Sequence, residues 1–227
     1  MRKATILAAL LAFGAFTLQS FVPVQNPALM AAETSQNPIQ ECFTAEEIAQ
    51  ANTAANTSLQ QIDKDIILYC NLARMDGARF WNNYAIPFLG NKSTRNTLSL
   101  RNDLAQIGGL PMLYPDKGLC AAAAAHASDM GQNNFFDHSS HDGTNCFDRV
   151  RKYYNSYQMA ENIAAGNNDA LAIVMQWLVD EHTPSLGHRK NILNSELNAI
   201  GVCSGAHRTW GTISVQDFGD KVITKMQ

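Results

Sequence analysis

The segment MQWLVDEHTPSLGHRKNIL, Met175 to Leu193, joins the end of one apolar helix to the start of a second, shorter one. Two carboxylates, Asp180 and Glu181, follow Trp177, and His188 stands shortly before an apolar-periodic run. A carboxylate and an imidazole at the junction of two helices are groups that metal sites and acid–base sites use. This segment is therefore a candidate for a metal site or an acid–base site.

The second helix is expected to place His188 in its first turn. Thr183 can cap this helix with Pro184 at the first helical position, or Ser185 can cap it instead. The helix dipole at that end disfavours the imidazolium form, and a neutral imidazole suits a metal ligand or a hydrogen-bond acceptor. The alternative is that His188 only packs at the helix start.

Working outward, the hydrophobic pattern predicts helices before and between a few antiparallel strands, an α+β domain. Residues 90–118 read as a loop-rich stretch with Gly and Pro punctuation. The C-terminal strands are expected to be neighbours joined by a short turn that includes Gly205. The predicted helices are Ile62–Phe88, Gly118–Phe136, Cys146–Tyr154, Asn168–Asp180 and Arg189–Asn194, with a fragile one near Thr44–Ala54. The predicted strands are Asn198–Gly205 and Thr209–Gly219, and Met159–Gly166 is predicted as a strand or an extended entry.

The N-terminus carries an export pattern. Arg2 and Lys3 precede the short apolar run Ala4–Phe16, which predicts a signal peptide over residues 1–32, with an uncleaved anchor as the alternative. Residues 33–60 are polar and are predicted to be a linker, which leaves 61–222 as one domain. The localisation predicted is secreted or periplasmic, with no transmembrane span in the mature chain.

The net charge indicates which partners the protein can bind, and the cysteine content bears on whether it contains disulfides. The formal charge is −3, and losing the two basic leader residues takes it to about −5, so nucleic acid is a poor partner. The chain has five cysteines. Export favours disulfides, and the odd number leaves at least one thiol unpaired within the chain.

The six histidines all lie in the second half of the chain. His138 follows two phenylalanines, and alone it reads as a solvated loop residue. His126 reads as a core histidine bonded to backbone or a nearby side chain, whereas His141 and His207 read as exposed loop residues. Glu161 is a charge within the small, apolar stretch MAENIAAG, so it needs a partner, and His138 and His188 are candidates.

Several catalytic signatures are absent from the sequence. There is no H-E-x-x-H, no G-x-S-x-G and no P-loop. Cys146 adjoins a loop rich in His and Asp, but nothing in the sequence marks it as an activated nucleophile. A structural disulfide or a free thiol is the preferred interpretation of Cys146.

Four motifs in order, HASDMGQNNFFDHSS, AENIAAG, MQWLVDEHTPSLGHRKNIL and NAIGVC, followed by an aromatic-containing strand, resemble the CAP superfamily. This superfamily includes cysteine-rich secretory proteins, venom antigen five and plant pathogenesis-related class 1 proteins. The resemblance covers about Ile62 to Asp220 and points to the secreted bacterial branch, the SCP-like extracellular proteins. It implies a three-layer α-β-α sandwich with a central cleft.

The resemblance also implies a cleft tetrad of two histidines and two acids. The histidines match His138 and His188, and the first acid matches Glu161. The second acid is Glu181 by its side chain or Asp180 by its offset from the tryptophan, with a slight preference for Glu181.

In some family members the two histidines bind a divalent metal, usually zinc. Two histidines with water make an exchangeable site rather than a closed one, so weak or conditional zinc binding is expected. The function predicted is a non-catalytic extracellular binding module for an unknown ligand, such as a lipid or a cell-wall component. The alternatives are a zinc-assisted hydrolase of peptide or cell-wall substrates and an extracellular lipid- or sterol-binding protein.

Overall fold

The computed structural model describes residues 41–221; the predicted signal peptide and the first part of the predicted linker lie outside the described residues. The helices are α1 (Ala45–Ala51), α2 (Gln61–Met75), α3 (Gly77–Phe80), α4 (Ile86–Leu89), α5 (Arg95–Leu104), α6 (Lys117–Asn133), α7 (Cys146–Arg151), α8 (Ala170–Val179) and α9 (Gly187–Ile192), and Trp81–Ala85 forms a π-helical turn between α3 and α4. The strands are β1 (Tyr114–Pro115), β2 (Met159–Ala165), β3 (Ala199–His207) and β4 (Gly211–Gly219).

The four strands form one mixed sheet in the order β1-β3-β4-β2. β1 is parallel to β3, and the β2–β4 and β3–β4 pairs are antiparallel. β2 therefore forms one edge of the sheet.

Helices cover both faces of the sheet. Because strand side chains alternate between faces, Ile200 and Val202 pack in the large core with α2 and α8, whereas Ile163 and Val215 pack against α6. A Cβ at Gly201 would lie 2.1 Å from the Leu119 carbonyl carbon, so only glycine allows β3 to approach α6 this closely. The predicted α+β three-layer sandwich is confirmed.

The helix predicted over Ile62–Phe88 is divided at Asp76. Asp76 adopts an extended conformation (φ −156°), and its carboxylate accepts a hydrogen bond from the Arg79 amide to cap α3. The break lets Gly77 contact α5, where a Cβ would lie 2.2 Å from the Leu104 carbonyl oxygen. The spacing of apolar residues along the chain reveals neither the Asp76 cap nor the close contact between Gly77 and α5.

Two other stretches are more ordered than the sequence suggested. The loop-rich interval contains α5, which begins with a reciprocal Thr94–Thr97 cap and buries Leu100 and Leu104. Within the predicted linker, α1 forms with a Thr44–Glu47 capping box, and the core includes Phe43, Ala51 and Ala54. These polar segments are ordered because a few apolar side chains reach the core.

The C-terminal hairpin forms as predicted, but the turn lies further along. Gly205 is inside β3, and Arg208–Trp210 connect the strands. His207, predicted to be an exposed loop residue, is buried at the end of β3, where its Nε2 lies 3.0 Å from the Phe135 carbonyl oxygen.

All five cysteines are free thiols in the structure, so the expected disulfides are not found. They lie before α1, on α2, α6 and α7, and on β3, and Cys70 and Cys120 are buried within the packed layers. Within residues 41–221 no helix is both long and apolar enough to span a membrane.

Candidate functional site

Glu161 and His138 form the first of two histidine–carboxylate pairs. Glu161 lies on β2 with its side chain only 1% exposed, and its Oε1 is 2.8 Å from Nδ1 of His138. His138 lies in the loop after α6, and its side chain is 52% exposed. The carboxylate holds the Nδ1 proton, which leaves Nε2 of a neutral His138 as an acceptor facing outward.

Arg149 on α7 is the second partner of Glu161. Its guanidinium contacts Glu161 Oε2 and also donates to the His138 carbonyl oxygen at 3.0 Å. Burial opposes ionisation of Glu161, but the hydrogen bond from His138 and the charge of Arg149 hold its pKa below the usual range. Glu161 is therefore an anion with both oxygens engaged.

A second buried carboxyl lies directly opposite Glu161 on the neighbouring strand. Asp217 of β4 is the register partner of Glu161, and one ligand atom each of Cys146, Glu161 and Asp217 lies within 4.8 Å of the others. Burial and the negative charge of Glu161 raise the pKa of Asp217 well above its usual value. Burial, together with Glu161, likewise raises the pKa of the Cys146 thiol.

This buried triad does not fit a cation. Both oxygens of Glu161 are already engaged by His138 and Arg149, and burial raises the pKa values of Asp217 and Cys146, so a cation would have to displace those partners and two protons. A divalent ion needs deprotonated ligands with free lone pairs. The triad is better described as a buried carboxyl, Asp217, and a thiol beside the Glu161 anion, and among the described residues neither side-chain oxygen of Asp217 has a hydrogen-bond partner.

Asp180 and His188 form the second histidine–carboxylate pair. Asp180 ends α8 in the left-handed conformation (φ 56°), with its side chain 1% exposed. Its Oδ1 lies 2.7 Å from Nδ1 of His188, and its Oδ2 accepts from the His188 amide at 2.9 Å. The carboxylate thus both orients the imidazole and caps α9.

The neighbouring residues of this segment have other roles. Glu181 is exposed and accepts from the Thr94 hydroxyl at 2.9 Å, so it does not pair with His188. Neither Thr183 nor Ser185 caps α9, contrary to the sequence prediction; Leu186 occupies that position with φ 54°. Asp180 supplies the cap from eight positions upstream, which no local capping rule anticipates.

Side-chain amides connect the two pairs through β2. Asn191 of α9 donates to the Glu161 carbonyl oxygen at 3.2 Å and to Asn162 Oδ1 at 2.9 Å. Asn162 in turn donates to the His188 carbonyl oxygen at 3.2 Å. The helix that carries His188 is therefore bonded to the same two strand residues that position the partner of His138.

A cleft of about 550 Å³ adjoins the second pair. Its polar end includes Asp180, Glu181, His182 and His188. Its apolar lining comes from α4, β2 and α8 and includes Phe88, Leu89, Ile163, Ala165, Met175 and Val179. Further polar side chains, among them Lys92, Thr97, Asn167 and Gln176, also line it. A cleft with an apolar wall and several polar groups is typical of ligand-binding sites.

The remaining histidines are structural or peripheral. His126 is fully buried on α6 with Nε2 2.9 Å from the Asp137 carbonyl oxygen, as predicted, and burial lowers its pKa. His141 is exposed, as predicted. Neither belongs to the two histidine–carboxylate pairs.

Four residues of the site were not found from the sequence: Arg149, Asp217, Asn162 and Asn191. Asp217 had a detectable signal, because the alternation in TISVQDFG puts it on the same face as the buried Ile213 and Val215. Arg149 gave no such signal in the sequence, because its partner Glu161 is twelve residues away and only the tertiary structure brings the two together.

Comparison with known proteins gives the family. The family model described as the cysteine-rich secretory protein family, CAP, matches residues 98–218, more than half of the chain. The chain belongs to the CAP family. The match includes both histidine–carboxylate pairs, and α1 to α4 lie before it.

Individual CAP-related proteins are similar over part of their length. The uncharacterized protein YkwD of Bacillus subtilis is 38% identical over 55% of this chain and 46% of its own. An extracellular SCP-domain protein of Bacillus anthracis is 24% identical with TM-score 0.45, over 80% of this chain and 45% of that one. A structure of NaASP2 with Zn²⁺ is 15% identical with TM-score 0.41, over 75% and 87% of the two chains. The chain thus spans less than half the length of YkwD and of the B. anthracis protein.

Proposed function

We propose that this CAP protein is a secreted, non-catalytic binding module in which His138 and His188 bind a divalent metal, zinc in particular, next to a ligand cleft. The observation that carries the proposal is the pair of Nδ1–carboxylate contacts, 2.8 and 2.7 Å long. A carboxylate on one ring nitrogen fixes the tautomer and leaves the other nitrogen to a metal. Export is supported by the N-terminal charged and apolar pattern.

The donor set favours weak, exchangeable binding. Two imidazole nitrogens are fewer than the three or four protein ligands of ordinary zinc sites, so solvent or ligand atoms would complete the coordination. Zinc bound there would supply Lewis acidity to a ligand in the cleft. Glu161 and Asp180 act through the histidines, by holding the proton on each Nδ1.

The state of the two buried acids, Glu161 and Asp180, argues against either of them as the general base of a hydrolase. Both oxygens of Glu161 are engaged, by His138 and Arg149, and both oxygens of Asp180 are engaged by the ring and backbone of His188. A general base needs a free oxygen within reach of the water it deprotonates. Burial also keeps Cys146 as a thiol by raising its pKa, which removes it as a nucleophile.

Isothermal titration with zinc chloride tests the metal site. We expect His138→Ala and His188→Ala each to weaken zinc binding by about tenfold or more, because each removes one of two ligands. His141→Ala is the matched control, since His141 is an exposed histidine of the loop that carries His138. Equal zinc affinity in the wild type and the double variant His138→Ala/His188→Ala would overturn the assignment.

A further inference from the structure

Strand β2 is an edge strand whose outer side carries backbone groups that the sheet does not use. Its inner side pairs with β4 from Met159 to Ala165. An edge strand offers a row of N–H and C=O groups to any extended chain that approaches it. Such a chain can bind only where backbone N–H and C=O groups face outward and no other part of the protein covers them.

The register identifies the outward groups. The Gly166 amide donates to the Thr212 carbonyl oxygen at 3.1 Å, which makes Ala165 and Ile213 a non-hydrogen-bonded pair of the ladder. By alternation, the N–H and C=O groups of Glu161, Ile163 and Ala165 point away from β4. The Asn191 contact with the Glu161 carbonyl oxygen agrees, because it comes from outside the sheet.

Only the ends of this edge are covered. Asn191 caps it at Glu161, and a 2.7 Å hydrogen bond between Asn167 and Gln176 closes the far end. Among residues 41–221, nothing is hydrogen-bonded to the outward groups of Ile163 or Ala165. Natural edges are usually blocked by Lys, Pro or a bulge, and the sequence ENIAA of this edge contains neither Lys nor Pro.

Two of the residues that carry outward groups, Ile163 and Ala165, line the cleft. Because the Ile163 side chain packs toward α6, we infer that the backbone edge of β2 faces this space. Met175 and Val179 of α8 belong to the same lining, together with Phe88. The cleft therefore combines a two-residue ladder of donors and acceptors with an apolar surface.

We propose that the cleft binds an extended polypeptide segment of another protein, which adds to β2 as a fifth strand of the sheet. An extended chain is the ligand whose donors and acceptors repeat every two residues, as the groups of Ile163 and Ala165 do. The apolar lining from α8 accommodates alternate side chains, and the bound strand runs toward His188. The inference names the ligand of the cleft in the proposed function and rests on that cleft, but it does not require the metal.

The protein-side test uses proline at the edge. Ala165→Pro removes an outward N–H that β4 does not use, so the ladder persists, because proline is tolerated in edge strands with the N–H side outward. Ala165→Ser is the matched control, since it changes the side chain and keeps the N–H. The probe is a library of blocked hexapeptides with Thr at alternate positions and any residue between, and the best binder is measured by titration calorimetry against the full chain.

We expect Ala165→Pro to weaken that hexapeptide by about tenfold or more and Ala165→Ser to leave it within about threefold. Native-state amide exchange should show the amides of Ile163 and Ala165 protected on binding, with Asn162 and Ala164 protected already. The peptide has two alternating sets of backbone amides, and only one set faces β2. N-methylation of that set should weaken binding more than N-methylation of the other set. Equal effects of the two sets, unchanged affinity in Ala165→Pro with the fold intact by circular dichroism, or no library member binding below about 1 mM would each overturn the proposal.

Zinc titrations on the same proteins separate this inference from the metal site. Ala165→Pro should lose the peptide and keep zinc, whereas His138→Ala should lose zinc and keep the peptide. Loss of zinc binding in the histidine variants with no peptide binding in the wild type would support the metal site and overturn strand addition.

Discussion

Whether a buried carboxyl group is ionised in this protein depends on the side chains that contact it. Glu161 and Asp217 are register partners on adjacent strands, and they differ in charge because Arg149 and His138 reach only Glu161. Burial disfavours the charged form of both carboxyl groups. The one with a positively charged partner is the one that ionises. The same principle makes a further buried acid, Asp63, sensitive to pH, because desolvation is the largest influence on its pKa.

Asp63 gives a prediction at the residue scale. It is 2% exposed in the first turn of α2, and burial raises its pKa to about 6 against hydrogen bonds from Ser204. Between pH 3.8 and about 6 the folded protein keeps a proton that the unfolded chain releases, so this carboxyl lowers the free energy of unfolding as pH rises through that window. The loss amounts to about 3 kcal/mol for a shift of this size.

Asp63→Asn should remove that part of the pH dependence, since the amide is neutral throughout. Urea unfolding at pH values from 4 to 7 gives the free energy of unfolding at each pH. The slope of this free energy against pH is then compared between the variant and the wild type. Asp65→Asn controls for the loss of one negative charge on the same helix, and a wild-type slope retained in Asp63→Asn would contradict the prediction.

At the scale of elements, α2 holds the α9–β3 connection through one buried side chain. Arg74 is fully buried and donates to the carbonyl oxygens of Ile192, Asn194 and Leu197, as well as to Pro111. Ile192 ends α9, and Asn194 and Leu197 lie in the connection to β3, where the Asn194 carbonyl oxygen also accepts from the Leu197 amide at 3.4 Å. Although α2 precedes the part of the chain matched by the family model, it fixes the segment that follows His188.

Arg74→Met should therefore lower the free energy of unfolding by about 3–5 kcal/mol, because it leaves several buried carbonyl oxygens without donors. Chemical denaturation measures the change. Arg101→Met, on the exposed side of α5, is the matched control and should cost less than about 1 kcal/mol. A loss below 1 kcal/mol for Arg74→Met would show that solvent or other groups replace the guanidinium.

At the scale of the whole molecule, the cysteines are distributed among the layers rather than paired. Burial raises the pKa of Cys70 and of Cys120 to about 12 and that of Cys203 to about 11, whereas Cys42 is exposed. Stability in this protein thus comes from a packed core on both faces of the sheet, not from covalent cross-links.

Thiol titration tests this distribution. In the native protein we expect one thiol, Cys42, to react rapidly with an aromatic disulfide reagent, because the thiolate is the reactive form and exposure controls access. In denaturant without reductant all five should react. A count of three or one after denaturation would demonstrate disulfides, and a Cys42→Ser variant should lose the fast phase.

Much of the architecture was predictable because it depends on local periodicity. The alternation in TISVQDFG and the alanine-rich run of α6 predict their elements without tertiary information. The division of the first long helix at Asp76 and the formation of α5 were not predictable, since one depends on a close contact at Gly77 and the other on burial of two leucines. His207 was misassigned because the strand continues two residues past Gly205.

The sequence by itself determined most of the element types, the sheet-forming C-terminal hairpin, the family resemblance and the candidate residues His138, Glu161 and His188. Only the tertiary structure decided the partners: Asp180 rather than Glu181 contacts His188, Arg149 neutralises Glu161, and Asp217 faces it. The reason is physical. Periodicity is a property of neighbours along the chain, whereas the charge and orientation of a buried side chain depend on residues that the packing of distant elements brings within 3 Å.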